Sequence, residues 1–144
     1  MPLPSDAPSV PRMDLPAILG TELARRRARN RRYSLRSFAR ALGTHHSTLS
    51  QILHRRRRLT ARAIEQLGAR LGLSPNDIDD ARREENCAAV LSLTSDPRFR
   101  ADSRWIAMMT GIPLDDVNVA LHWLLHSRRL VMRSRTTWAP GAPS

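Results

Sequence analysis

Between Tyr33 and Leu73 apolar residues return at spacings of three and four in three short runs, with glycine or small hydrogen-bonding residues between them. Spacing of that kind belongs to helices that bury one face. The first run is Leu35, Phe38, Ala39 and Leu42, with Ser34 in position to cap it. Gly43 then supplies a residue free to take positive φ, which a sharp turn between helices needs. The second run, Leu49, Ile52 and Leu53, turns His46, Ser47, Ser50 and Gln51 to the opposite face. Either Thr44 or His45 stands where its cap belongs. Thr60 caps a third helix with Ile64, Leu67 and Leu71 inward, and Gly72 ends it.

Two short helices joined by a glycine turn, the second presenting small polar side chains between basic residues, make a helix-turn-helix. Such a face suits base edges in a DNA groove, and Gln51 is the residue best built for two-pronged pairing with adenine. The stretch SFARALGTHHSTLSQIL resembles the phage-repressor-like (Xre/Cro-type) helix-turn-helix, in which an apolar-Ala-x-x-apolar-Gly core leads into the recognition helix. The resemblance runs from Leu15 to Leu73. More narrowly, RNRRYSLRSFARALG…STLSQIL…RRLT…LGLS is similar to a group of longer bacterial regulators that share this opening. It implies double-stranded DNA as partner and a homodimer on two half-sites. Where the family often has Asn-Gly after the presented helix, this chain has His54-Arg55, so that turn is expected to close differently.

Charge follows the motif. The formal net charge is +11, with 24 basic residues against 13 acidic, and every basic residue is arginine. Arginine forks onto phosphate or guanine, although a genome rich in G and C would also favour it over lysine. Residues 34–73 hold eight arginines and one glutamate, whereas residues 74–97 hold two arginines and six carboxylates. Positive charge concentrated on the motif points to a polyanion. Arg36, Arg40, His45 and the run Arg55, Arg56, Arg57 and Arg58 are the candidate phosphate contacts. A solvated charged loop is the other reading of 55–58.

Upstream, residues 1–13 carry four prolines and no apolar period and read as a disordered tail. Asp14 caps a helix with Pro16 in its first turn and Leu15, Ile18, Leu19 and Leu23 inward. Arg25, Arg26, Arg27, Arg29, Arg31 and Arg32 crowd its end, for phosphate contact or as a solvated basic terminus. Downstream, Ser74-Pro75-Asn76-Asp77 starts an acidic connecting helix over 74–97, with Ile78, Ala81, Ala88, Ala89 and Leu91 as its apolar residues. Cys87 reads as a small half-buried residue of that helix. A lone cysteine excludes an internal disulfide framework and fits a reducing compartment.

Residues 98–138 form a second unit. Trp105, Ile106 and Met109 mark a short helix broken at Gly111-Ile112-Pro113, and Val117, Ala120, Leu121, Leu124 and Leu125 a longer one. Leu130–Met132 and Thr136–Trp138 are candidate strands around a polar turn, so the order resembles a winged helix. Asp115 and Asp116 at the start of the longer helix would repel phosphate, while Arg128, Arg129, Arg133 and Arg135 argue the other way. Val119 and Trp123, four apart, form a second apolar ridge that serves either a dimer or partner contact or burial within the unit. His122 and His126 have a metal-compatible spacing without a third ligand.

The expected fold is therefore mainly α: an N-terminal five-helix repressor-like helix-turn-helix bundle followed by a small helical, winged-helix-like unit, with the DNA-binding domain over 14–73, the acidic connecting helix over 74–97 and 139–144 as tail. The expected function is a sequence-specific double-stranded-DNA-binding transcriptional regulator that reads the major groove with the helix around 46–53. The alternatives are a protein-binding adaptor or antitoxin-like regulator, and a non-specific DNA-packaging protein. With no phosphate-cradling glycine loop, nucleophile motif or metal cluster, neither catalysis nor a cofactor or metal is expected. No apolar run approaches the ~20 residues a membrane span needs, and no signal pattern opens the chain, so a cytoplasmic, nucleoid-associated protein without membrane contact is expected.

Overall fold

A computed structural model describes residues 13–141. Among these, seven helices and one two-stranded sheet occur, in the order α1 (Leu15–Arg29), α2 (Leu35–Leu42), α3 (His46–Leu53), α4 (Ala61–Arg70), α5 (Pro75–Leu93), α6 (Ser103–Thr110), α7 (Leu114–His126), β1 (Leu130–Met132) and β2 (Trp138–Pro140). The fold is mainly helical, as the spacing of apolar residues requires. The chain divides into two compact units, one ending at Arg82 and the other beginning at Arg83. The expected N-terminal tail lies outside the described residues except for Met13, which packs against the first core.

Four short-range caps start the helices of the first unit. Asp14 accepts from the Ala17 amide, Ser34 from Ser37, Thr60 from Ala63 and Ser74 from Asp77. Each satisfies an amide that the first helical turn leaves orphaned, worth ~1 kcal/mol. The core joins Leu15, Leu19 and Leu23 of α1 to Phe38, Ala39 and Leu42 of α2, Leu49 and Ile52 of α3, Leu59, and Ile64 and Leu67 of α4. Gly68 lets α5 come close: a Cβ there would stand 2.7 Å from Ile78 Cγ1. Ile78 and Ala81 thus belong to the first core.

The ends of the helices repeat one device. At Gly43 the chain turns left-handed (φ 72°), with Thr44 N–H donating to the Ala39 carbonyl and Gly43 N–H to that of Arg40. Gly72 does the same after α4, with Leu73 donating to Gly68 and Gly72 to Ala69. After α3 the turn expected to differ closes in the same way. Arg56 N–H reaches Gln51 O at 2.8 Å, Arg55 N–H reaches Ile52 O at 3.0 Å, and Arg55 takes the glycine conformation at φ 56°. Arg128 (φ 59°) repeats this after α7. The double hydrogen bond recovers two orphaned carbonyls, which offsets the ~1–2 kcal/mol that a left-handed non-glycine residue costs.

The second unit packs Cys87 and Val90 of α5 with Ile106 of α6, Ile112, Val117, Ala120, Leu121 and Leu124 of α7, and Leu130 of β1. Cys87 is fully buried rather than half-buried, its thiol directed at the Ala120 carbonyl 3.7 Å away, whereas Ala88 of the expected stripe is exposed. Leu125 and Met109, expected inward, are also exposed. Phe99 meets Trp105 edge-on with ring centroids 5.7 Å apart, and Trp138 at 6.0 Å. β1 and β2 pair antiparallel, Leu130 opposite Pro140 and Met132 opposite Trp138. The second strand therefore begins at Trp138, two residues later than expected. Thr136 and Thr137 instead form the turn: the Thr137 carbonyl accepts from the Arg133 amide, and both threonine amides donate to Ser134 Oγ. A bidentate pair between Arg129 and Glu84 (2.7 and 3.0 Å, both mostly buried) anchors the segment before β1 to α5.

Candidate nucleic-acid interface

α3 is held by Leu49 and Ile52, both buried, and its rotation follows from them. Ser47 and Gln51 are exposed, with His46 and Ser50 half-covered beside them. His54, one turn beyond Gln51, is exposed as well and extends this face; sequence reasoning treated it only as part of a turn. Its Nδ1 lies 2.8 Å from the Ser50 carbonyl, an acceptor, so Nδ1 carries the proton and Nε2 faces outward.

His45 is the cap of α3. Its Nδ1 accepts from the Ser47 amide at 3.3 Å and lies 2.8 Å from Ser47 Oγ. An accepting Nδ1 puts the ring proton on Nε2, so this imidazole offers an outward donor. The His45 and His46 rings lie 4.6 Å apart. Lost hydration holds the His46 imidazole below its usual range, and the charge of Arg36 pushes it the same way. His46 is thus a neutral ring at neutral pH, with one donor and one acceptor.

The arginines divide into tied and untied groups. Glu22 binds Arg25 and Arg26 through hydrogen bonds of 2.8–3.0 Å, which hold its carboxyl down at about 2. Arg26 also donates to Tyr33 Oη at 2.9 Å and lies over the Phe38 ring, and Arg27 donates to the Tyr33 carbonyl. Half of the basic cluster at the end of α1 is therefore scaffolding. Asn30 ends that helix, so Arg31 and Arg32 lie beyond it. Among the described residues, Arg29, Arg31, Arg32, Arg36, Arg40 and Arg56 have no ion-pair partner.

The 55–58 run is likewise divided. Arg55 grips Asp14, the cap of α1, with both guanidinium arms at 2.7 and 3.1 Å. Arg57 stands 3.5 Å from Gln51 Oε1, a contact long enough to break readily when Gln51 uses both ends of its amide. Arg57 and Arg58 also line a small cleft with Thr44, Thr48, Leu59 and Thr60, between the α2–α3 turn and the start of α4.

Outside this face, Val119 and Trp123 are about half exposed, and Trp123 carries the Arg83 guanidinium 4.1 Å from its ring centre. His122 and His126 stack at 4.9 Å. Among the described residues no cluster of three His, Cys, Asp or Glu side chains could hold a metal ion, and no helix is long and apolar enough to cross a membrane.

Two short helices joined at the left-handed Gly43, the second with its polar face outward over a buried scaffold, form a helix-turn-helix. Residues 18–81, a little under half of the chain, match a family model described as a helix-turn-helix domain. The match supports a DNA-binding regulator in general terms. No curated protein and no solved structure matches the chain.

Proposed function

We propose that this chain is a sequence-specific regulator of the phage-repressor-like type that binds double-stranded DNA and reads the major groove with α3. His46, Ser47, Ser50 and Gln51 read bases. Arg36, Arg40, His45, Arg56, Arg57 and Arg58 hold phosphates, whereas Arg55 is engaged by Asp14 and acts on the turn. The observation that carries this reading is the polar face of α3, with Ser47 and Gln51 outward while Leu49 and Ile52 are locked in the core. A helix so held presents the same hydrogen-bonding pattern to every site it meets, which sequence selection requires. The cell compartment implied is the cytoplasm, at the nucleoid.

The exposed Val119 and Trp123 ridge favours a second role for the C-terminal unit, in pairing two chains or docking another protein. Its helix–turn–helix–hairpin order supports a winged-helix-like description. Asp115 and Asp116 in the first turn of α7 argue that this helix does not face phosphate.

The test is binding to a duplex from the protein's own upstream region against a scrambled duplex, over a salt series. A preference of ~10³ or more at physiological salt is expected. Gln51→Ala should cost ~1–3 kcal/mol on the preferred site and little on the scrambled one. Equal binding to both duplexes, collapsing with salt, would instead mean non-specific packaging.

A further inference from the structure

The outward face of α7 carries a carboxylate at one end and an imidazole at the other, so its two ends are complementary when the helix is reversed. Val117, Ala120, Leu121 and Leu124 point into the core, so Asp115, Val119, His122 and His126 point away from it, with Trp123 beside them. Those four residues are spaced four, three and four apart, which is the seam spacing of a helix that packs against another helix. One end of the seam is a carboxylate, the middle is apolar, and the other end is a stacked pair of imidazoles.

We propose that this seam is a self-association surface, on which a second copy of the chain lays its own α7 antiparallel. This rests on the reading above that the C-terminal unit pairs two chains, and it names the partner and the register. An antiparallel pair about a two-fold axis between residues 120 and 121 sets Asp115 of each copy against His126 of the other, and Val119 against His122. The imidazole N–H groups then donate to carboxylates at both ends of the seam, twice over by symmetry. Parallel packing would instead set carboxylate against carboxylate. A second copy is the occupant because the carboxylate at one end of the seam meets the imidazole at the other when the helix is reversed, a match made twice by one two-fold axis. Trp123, with the Arg83 guanidinium over its ring, flanks the seam.

The surface is small. Thirteen residues span ~20 Å, so the helix pair alone buries less than the ~800 Å² per partner of a standard interface. The dimer is therefore weak in free solution, and holding two half-sites on one duplex would raise its occupancy.

The test is sedimentation equilibrium of the full chain without DNA, over a concentration series. The wild type should show a monomer–dimer equilibrium, and Val119→Asp should weaken it by ~10-fold or more. Asp115→Arg and His126→Glu should each weaken it, and the chain carrying both should recover most of the loss, since the new charges meet across the axis. All three residues are exposed, and circular dichroism checks that α7 persists. A second measurement avoids charge reversal: in a Cys87→Ser background, a mixture of Val119→Cys and His122→Cys chains should cross-link faster than either chain alone. A monomer at every concentration, a dimer indifferent to Val119→Asp, failure of the double variant to recover in a folded α7, or no preference in the cross-linked mixture each overturns the proposal. Because no DNA is present, a negative result leaves the DNA-binding reading standing, and a dimer that binds no DNA removes that reading alone.

Discussion

Arg55 adopts a backbone conformation that glycine takes freely, and its side chain explains why it is tolerated there. The left-handed residue closes the end of α3 through two backbone hydrogen bonds, and the guanidinium then clasps the residue that caps α1. Arg55→Gly removes that clasp but also the strain, so its net effect on stability should lie within ~1 kcal/mol of zero. Asp14→Asn keeps the cap and loses the charge. Both partners of the pair are partly exposed, so this substitution should cost ~0.5–1 kcal/mol in the wild type and almost nothing in an Arg55→Gly background. Chemical denaturation of the four chains measures the coupling. The Arg55→Gly chain and an Arg56→Ala chain together test phosphate contact: a residue committed to Asp14 leaves the salt dependence of DNA binding unchanged when replaced, whereas Arg56→Ala lowers its slope by ~1. An Arg55→Gly chain that lost as much slope as Arg56→Ala would return Arg55 to the phosphate contacts.

At the scale of the element, α1 is joined to the start of α2 through Glu22, Arg26 and Tyr33. Glu22 has its carboxyl depressed from an ordinary 4.5 to about 2, chiefly by the hydrogen bonds from Arg25 and Arg26. A depressed carboxyl stabilises the fold above its unfolded value and loses that contribution as pH falls toward the folded one. The advantage of wild type over Glu22→Gln should thus be ~0.5–1 kcal/mol at pH 7, begin to fade below about pH 4.5, and vanish near pH 2. Thermal melts of the two chains across that range follow it; a difference that persisted unchanged at pH 2 would deny the ion pair its role. Local signals of this kind explain what the sequence made legible. Asp14, Ser34, Thr60 and Gly43 act within three or four residues of themselves, so caps and turns were readable, and the outward set on α3 followed from its two buried neighbours. Arg55 taking a glycine's role was not readable, because the Asp14 that helps hold it lies 41 residues away. Cys87 and Val90 were missed for a different reason. Ala81 and Cys87 are separated by one and two-thirds helical turns, so no single apolar stripe runs through the residues α5 gives to the two cores.

For the whole molecule, that shared helix decides where the DNA-binding unit ends. The repressor-like resemblance runs only to Leu73, but Ala81 is fully buried in the first core and Ile78 packs against it. Gly68 is the physical sign of the same fact: glycine costs a helix interior ~1 kcal/mol relative to alanine, and here the missing methyl is the space that Ile78 occupies. A fragment spanning 13–73 leaves Gly68 facing water where Ile78 should lie and loses the buried Ala81, and one spanning 13–82 keeps both. The apolar surface involved makes the longer fragment the more stable by ~2 kcal/mol, a difference of ~8–16 °C in melting temperature for a domain of this size. Circular dichroism melts of the two fragments measure it directly, and binding to the preferred duplex should survive in the longer one, since α2, α3 and the 55–58 turn are all contained in it. Equal melting temperatures would mean that Ile78 and Ala81 pack on the bundle without stabilising it, and the DNA-binding unit would then end at the Gly72 turn.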